Sequence, residues 1–152
     1  MVRILFVCLG NICRSPMAEF IMKKLINDNG LSEQIYVESA GTSNEEEGNP
    51  VYYMARNKLE EFGIDTWGKF ARQMNFADYD KFDYIIAMER ANVRDILQIL
   101  GSDPGHKVNR LLDYTNVPRD IDDPWYTKDF DKAYREIYEG CVALLKYIVD
   151  RK

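Results

Sequence analysis

Histidine is almost missing from this chain: among 152 residues only His106 occurs, in the turn Asp103-Pro104-Gly105-His106. Without a carboxylate–histidine cluster the residues offer no metal centre of the usual donor set, and no metal or other cofactor is expected. Cysteine is scarce as well. Cys8, Cys13 and Cys141 are too few and too unevenly spaced for a disulfide framework or a zinc site, which suits thiols kept reduced in the cytoplasm. Long apolar runs are absent. None approaches the ~18 residues of a membrane span. Ile4-Leu5-Phe6-Val7 is short for a signal peptide and has no small-residue cleavage site behind it. A basic excess is absent too: 20 Lys and Arg stand against 25 Asp and Glu, a net charge of −5, with the basic residues scattered. A nucleic-acid partner wants a basic face, so none is expected. No internal repeat or linker interrupts the chain. The expectation is a monomeric, cytoplasmic, single domain over residues 1–152 with no membrane partner, and 46% hydrophobic residues are enough for a core.

What is present is concentrated in Cys8-Leu9-Gly10-Asn11-Ile12-Cys13-Arg14-Ser15. An apolar run precedes it and Pro16 follows. That is the order strand, tight loop, helix start, since proline is tolerated in the first helical turn. Backbone N–H groups near a helix N-terminus converge on one point, and the helix dipole adds positive potential there. An oxyanion is the natural occupant, and a thiol at that point is favoured as its thiolate. Arg14 follows Cys8 by six positions, so a curled loop sets its guanidinium opposite the sulfur. Its planar fork matches two phosphoryl oxygens. A nucleophilic sulfur facing a caged phosphoryl group points to attack at phosphorus through a cysteinyl-phosphate. Leu9, Gly10, Asn11, Ile12, Cys13 and Ser15 are the candidate phosphate-binding residues. Asn11 tolerates a left-handed backbone and locks the loop. Ser15 can donate a hydrogen bond to the sulfur as it departs.

The remaining pattern alternates strands and helices. Residues 17–29 continue the first helix, with Met17, Ala18, Ile21, Met22, Leu25 and Ile26 on one face and Gly30 closing it. Ile35-Tyr36-Val37 reads as a second strand, and Glu38 to Ser43 as a turn at the carboxyl edge of the sheet, where open parallel sheets bind ligands. Ser39 can brace the phosphate loop or satisfy its own turn. Glu45-Glu46-Glu47 reads as a solvated loop or as a specificity element beside the pocket. Asn49-Pro50 opens a second helix carrying Val51, Met54, Ala55, Leu59 and Phe62 as far as Gly63. Residues 64–81 read as irregular. Tyr84 to Ala87 is a buried strand, Asn92 to Leu100 a helix with Val93, Ile96, Leu97 and Leu100 inward, and Lys107 to Leu112 a fourth strand. Phe130, Tyr134, Ile137, Cys141, Leu144 and Ile148 step along a last helix, which makes Cys141 core packing. The class is α/β, a three-layer α/β/α sandwich with a parallel sheet. The pattern alone leaves the strand order open.

Expelling a phenolate or alkoxide from phosphorus needs a proton donor. His106 reads as a solvated loop residue, so the donor falls to Asp120-Ile121-Asp122-Asp123-Pro124-Trp125-Tyr126. On the residues alone Asp120, Asp122 and Asp123 are near-equal candidates. Pro124 restricts Asp123 to extended backbone. Trp125 and Tyr126 can exclude water and flank a phenyl ring.

Three features together resemble the low-molecular-weight protein tyrosine phosphatases: the Cys-x5-Arg-Ser octet after the first strand, Ala71-Arg72-Gln73 ahead of Phe82-Asp83-Tyr84-Ile85-Ile86, and Asp123-Pro124 followed by aromatics. The resemblance implies strand order 2-1-3-4. It implies Cys8 as nucleophile, Arg14 as phosphate clamp, Asp123 as acid and then base, Ser39 as support for the loop, and Trp125 and Tyr126 as pocket walls. The implied reaction is hydrolysis of phosphotyrosine in proteins, and of small aryl phosphates, with phosphotyrosine-containing proteins as the partners. Three positions depart from the family pattern. Glu45 stands where an aromatic wall is frequent, Lys69 where a histidine precedes Ala-Arg-Gln, and Glu89 where an aspartate follows the third-strand Met. The first bears on substrate preference and the others on supporting interactions.

Three rivals are weaker. Thioredoxin-linked arsenate reductases resemble the fold but relay a disulfide through further cysteines, and none lies between Cys13 and Cys141. Protein arginine phosphatases resemble a version of the loop with Thr at the place of Ile12, and an apolar Ile12 suits an aryl leaving group. A catalytically dead phosphotyrosine-binding module fits poorly with Cys8, Arg14 and Asp123 all present.

Overall fold

The N-terminal apolar run folds as strand β1 (Val2–Cys8), whose residues alternate between two cores. Ile4, Phe6 and Cys8 face one and Leu5 and Val7 the other, which is why the run is apolar without a break. The computed structural model describes residues 1–151; Lys152, the last residue of the expected domain, lies outside them. Strands β2 (Ile35–Gly41) and β3 (Tyr84–Ala87) pair in parallel with β1 on its two sides. Strand β4 (Val108–Arg110) adds in parallel to β3. The sheet order is 2-1-3-4, as the resemblance implied.

Helices cover both faces of the sheet. Helix α1 (Arg14–Asp28) and the long helix α6 (Phe130–Asp150) bury Met17, Ile21, Met22, Ile137, Cys141 and Leu144 against the Ile4–Phe6 side. The other face is closed by Ile96 and Leu100 of the amphipathic helix α4 (Arg90–Leu100). Where α6 crosses the short turn Leu111–Tyr114, a Cβ on Gly140 would stand 2.5 Å from Leu111 Cγ. Only glycine leaves room for the Leu111 side chain against the helix here.

Several elements differ from the sequence reading. Strand β2 runs on through Gly41, because Glu38 to Gly41 continue the ladder with Leu5 to Cys8; the small polar residues that read as a turn are a strand end. Helix α2 (Tyr53–Glu60) begins later than Asn49-Pro50. The backbone ahead of it is spent elsewhere: Asn49 accepts from the Ala71 N–H, Pro50 bridges to Phe70, and the Tyr52 N–H donates to the Ile12 carbonyl at 2.9 Å. Within the stretch read as irregular, Asp78–Lys81 forms a single helical turn, α3. Strand β4 stops at Arg110 rather than Leu112. Of the α4 residues read as inward, Leu97 is exposed and Val93 only packs at the edge of the core.

Candidate active site

The carboxyl ends of β1, β2 and β3 meet where the chain leaves the central strand. Cys8 ends β1, and the loop that follows turns through Asn11 with φ 59°, a left-handed conformation that asparagine adopts more easily than most residues. The Asn11 N–H donates to Cys8 Sγ at 3.3 Å, and Ser15 Oγ lies 2.9 Å from the same sulfur. No side chain caps α1, so its first N–H groups remain for an incoming anion.

A polar chain fixes the loop from below. Asn11 Nδ2 donates to Ser15 Oγ at 2.8 Å and to Ser39 Oγ at 3.0 Å. Its Oδ1 accepts from the Arg72 N–H at 3.1 Å. Ser39 Oγ donates to Glu19 Oε1 at 2.6 Å. Glu19, itself buried, pairs with Lys69 at 3.1 Å and with Lys23 at 2.5 Å. Lys69 also donates to the Ser39 carbonyl at 2.8 Å. A buried carboxylate is tolerable only when so paired. Ser39 thus touches the loop through Asn11, and it does so from inside β2 rather than from a turn.

The end of β2 clamps the loop through its backbone. The Thr42 and Ser43 N–H groups donate to the Cys8 and Leu9 carbonyls at 2.9 and 3.0 Å. A Cβ on Gly41 would lie 2.7 Å from the Leu9 carbonyl oxygen and 3.2 Å from the Gly10 carbonyl carbon. The loop can pass only over a glycine.

Arg14 is 2% exposed. Its Nη1 donates to Glu89 Oε2 at 2.5 Å and to the Ile121 carbonyl at 2.7 Å, while Nη2 lies 3.4 Å from Asp123 Oδ2. Glu89 also caps α4 through a reciprocal pairing with Asn92, so the carboxylate that aims Arg14 is held from both ends.

The three aspartates of the 120–123 segment separate cleanly. Asp120 accepts from Arg110 and from the Arg90 N–H. Asp122 pairs with Lys132 at 3.0 Å. Asp123 caps the short helix α5 (Pro124–Thr127) by accepting from the Trp125 N–H at 3.0 Å, and it lines the cavity above Cys8. The Ile121 N–H donates to the Met88 carbonyl at 2.9 Å, tying this segment to the end of β3.

The cavity holds about 240 Å³ and is lined by Cys8, Leu9, Gly10, Ile12, Cys13, Arg14, Ser43, Glu45, Glu46, Asp123, Trp125 and Tyr126. A wider groove of about 770 Å³ between α6 and Tyr114–Asn116 carries no thiol, so size does not select the site; chemistry does. Trp125 and Tyr126 are 40% and 76% exposed, consistent with walls at a mouth. Cys13 is buried and reduced. Burial pushes its thiol well above the ordinary value, with Cys8 and Asp123 adding to the rise and Arg14 and Lys128 opposing it.

All the residues singled out from the sequence for this site therefore meet at one place, Ser39 in support from below. Sequence reasoning missed Glu19, Gly41, Ser43 and the Ile121 carbonyl. Glu19 had a signal: it follows Ser15 by one helical turn on the face that carries the loop. Gly41 and Ile121 act through backbone and had none. Among the described residues no group of three or more His, Cys, Asp and Glu could hold a metal, and no helix is long and apolar enough to cross a membrane.

Comparison with known proteins places the chain among phosphatases of one fold. The family model for "low molecular weight phosphotyrosine protein phosphatase" matches residues 3–152. The low molecular weight protein-tyrosine-phosphatase YfkJ of Bacillus subtilis is 41% identical over 154 residues, covering 100% of this chain and 99% of that protein. Its crystal structure superimposes with a TM-score of 0.97 over 100% of this chain and 97% of that one. The human low molecular weight phosphotyrosine protein phosphatase is 35% identical over 161 residues, covering 97% and 94% of the two chains. The structure of the drosophila arginine phosphatase DARP is 32% identical with a TM-score of 0.87, covering 95% and 96%.

Proposed function

The chain belongs to the low molecular weight phosphotyrosine protein phosphatase family and is an enzyme of that class, and from that premise we propose the route by which its residues act. The substrate is a phosphotyrosine side chain presented by another protein, with small aryl phosphates as surrogates. The phosphatase domain is the 152-residue chain as a whole.

Cys8 Sγ attacks phosphorus in line and displaces the tyrosine oxygen. Arg14 offers Nε and Nη2 to two equatorial oxygens, since Glu89 and Ile121 occupy Nη1. The loop N–H groups take the remaining charge. Asp123, protonated, delivers its proton to the leaving phenolate. Water then attacks the cysteinyl-phosphate, Asp123 takes the proton of that water, and the S–P bond breaks to release phosphate. Ser15 Oγ, 2.9 Å from Sγ, donates to the sulfur and eases its departure as thiolate. Arg14 and the loop supply the positive charge, so the scheme calls for no metal.

One observation carries the reading: Asp123, alone of the three neighbouring aspartates, shares a cavity with both Cys8 and Arg14. Ile12 in the same cavity gives an apolar contact for an aryl ring, which favours phosphotyrosine over phosphoarginine. The test is turnover of nitrophenyl phosphate beside phosphotyrosyl, phosphoseryl and phosphoarginyl peptides of one sequence. Release of phosphate from the phosphotyrosyl peptide first is the expected result. Preference for the phosphoarginyl peptide would replace this reading with arginine phosphatase activity, and inertness toward all four would reduce the chain to a binding module.

A further inference from the structure

The mouth of the cavity is anionic. Glu45 and Glu46 line it, the Glu46 side chain lying against Gly10, and Asp123 lines it next to Trp125. Arg14 is buried beneath. A phosphotyrosine must carry its own negative charge past these carboxylates.

One exposed cation stands at the Trp125 side. Lys128 ends α5 in a left-handed conformation, φ 61°. Glycine or asparagine would take that backbone with less strain, so a lysine there is a costly choice. Its ammonium lies 5.0 Å from the Trp125 ring centroid and 6.0 Å from that of Tyr52, two rings 4.8 Å apart. The Tyr52 N–H donates to the Ile12 carbonyl, which ties this aromatic seat to the phosphate loop. Lys128 is also close enough to favour the charged form of the Cys13 thiol. Nearby Lys132 is paired with Asp122 at 3.0 Å. Lys128 has no such partner among the described residues; it makes ring contacts only. Ring faces attract an ammonium without neutralising it, and its donors remain for an anion.

We infer that Lys128 is a specificity-determining residue: it receives a carboxylate that flanks the phosphotyrosine, while Glu45 and Glu46 receive a cationic side chain at the Gly10 side. The preferred substrate is then a phosphopeptide with an acidic residue on one side of the phosphotyrosine and a basic residue on the other, in one order and not its reverse. This rests on the phosphotyrosine reading above. The contacts are exposed and salt-screened, so each contributes little, about two- to five-fold in rate. The effect falls on KM, because the flanking charges touch bound substrate and transition state alike.

The test uses the full-length protein and five phosphotyrosyl peptides of one length. Their flanks are neutral on both sides, Asp before with Lys after, Lys before with Asp after, acidic on both sides, and basic on both sides. One mixed order should exceed the neutral peptide by about two- to five-fold in kcat/KM through KM, and the advantage should shrink at high salt. Lys128→Met keeps the stem on the rings and should lose the acidic-side advantage. Lys128→Arg should retain it, and Lys128→Glu should convert it to a penalty. Equal rates for the two mixed orders would overturn the inference. So would Lys128→Met lowering all five peptides alike, which would make the lysine a prop for Trp125. Failure of the phosphotyrosine reading is told apart by the neutral peptide, which would then not be hydrolysed at all.

Discussion

At the scale of single residues the proposed scheme separates binding from chemistry. Cys8→Ser should abolish hydrolysis while phosphate still binds, because Arg14 and the loop N–H groups stay in place. Arg14→Ala should lose both, as read by turnover and by phosphate titration. Asp123→Asn should slow aryl phosphates with poor leaving groups by about 10²–10⁴-fold and nitrophenyl phosphate far less, since that phenolate leaves with little help. Asp120→Asn and Asp122→Asn should not show the pattern, as Arg110 and Lys132 hold those carboxylates outside the cavity; finding it there would move the acid. Glu45→Trp should supply a stacking face of about 0.5–1.5 kcal/mol, seen as a lower KM for aryl phosphates at nearly constant kcat. An unchanged KM would leave Glu45 a solvated loop residue. Cys13 shares the loop with Cys8, so a sulfenic acid formed on Cys8 can be trapped there as a disulfide. Cys13→Ser should lower the activity that dithiothreitol restores after peroxide. The trap needs the Cys13 thiolate, which burial opposes, so the protection should grow as pH rises. Equal recovery in both proteins would leave Cys13 as packing.

At the scale of elements, two glycines set how closely segments pass. Gly41→Ala would drive a Cβ into the Leu9 carbonyl. The expected outcome is a protein with native circular dichroism that neither binds phosphate nor turns over substrate. Gly140→Ala would press on Leu111 and should destabilise by about 1–3 kcal/mol, read from urea unfolding, with activity intact below the transition. These positions also show where sequence reading succeeds and stops. The octet from Cys8 to Ser15 was legible because its chemistry is local: strand end, turn and helix start lie in one stretch. Strands β1 and β3 were legible as unbroken apolar runs, and α6 from its period. The end of β2 was not, since Glu38, Ser39 and Ala40 look like a turn until paired with β1. Nor was the start of α2, whose first backbone groups are drawn off by residues 70 and 71. Asp123 needed the family resemblance in the sequence; in the fold its place above Cys8 separates it from two neighbours of identical chemistry.

At the scale of the whole molecule, charge and connectivity matter most. A net charge of −5 and carboxylates at the mouth should make uniformly basic phosphopeptides better substrates than uniformly acidic ones. The preference should fade at high salt, where screening shortens below the roughly 8–10 Å of ordinary buffers; its absence at low salt would remove the electrostatic argument. Connectivity has a consequence in time. The proposed nucleophile, Cys8, belongs to the first strand, but the carbonyl that anchors Arg14 is contributed by Ile121, 107 residues after Arg14 itself. At ~5–20 residues per second, synthesis of that interval takes about 5–20 s. Through those seconds a nascent chain carries Cys8 with neither its clamp fixed nor its acid made. A chain that stops short of Ile121 should therefore hydrolyse no nitrophenyl phosphate, however well its first strand and loop are made.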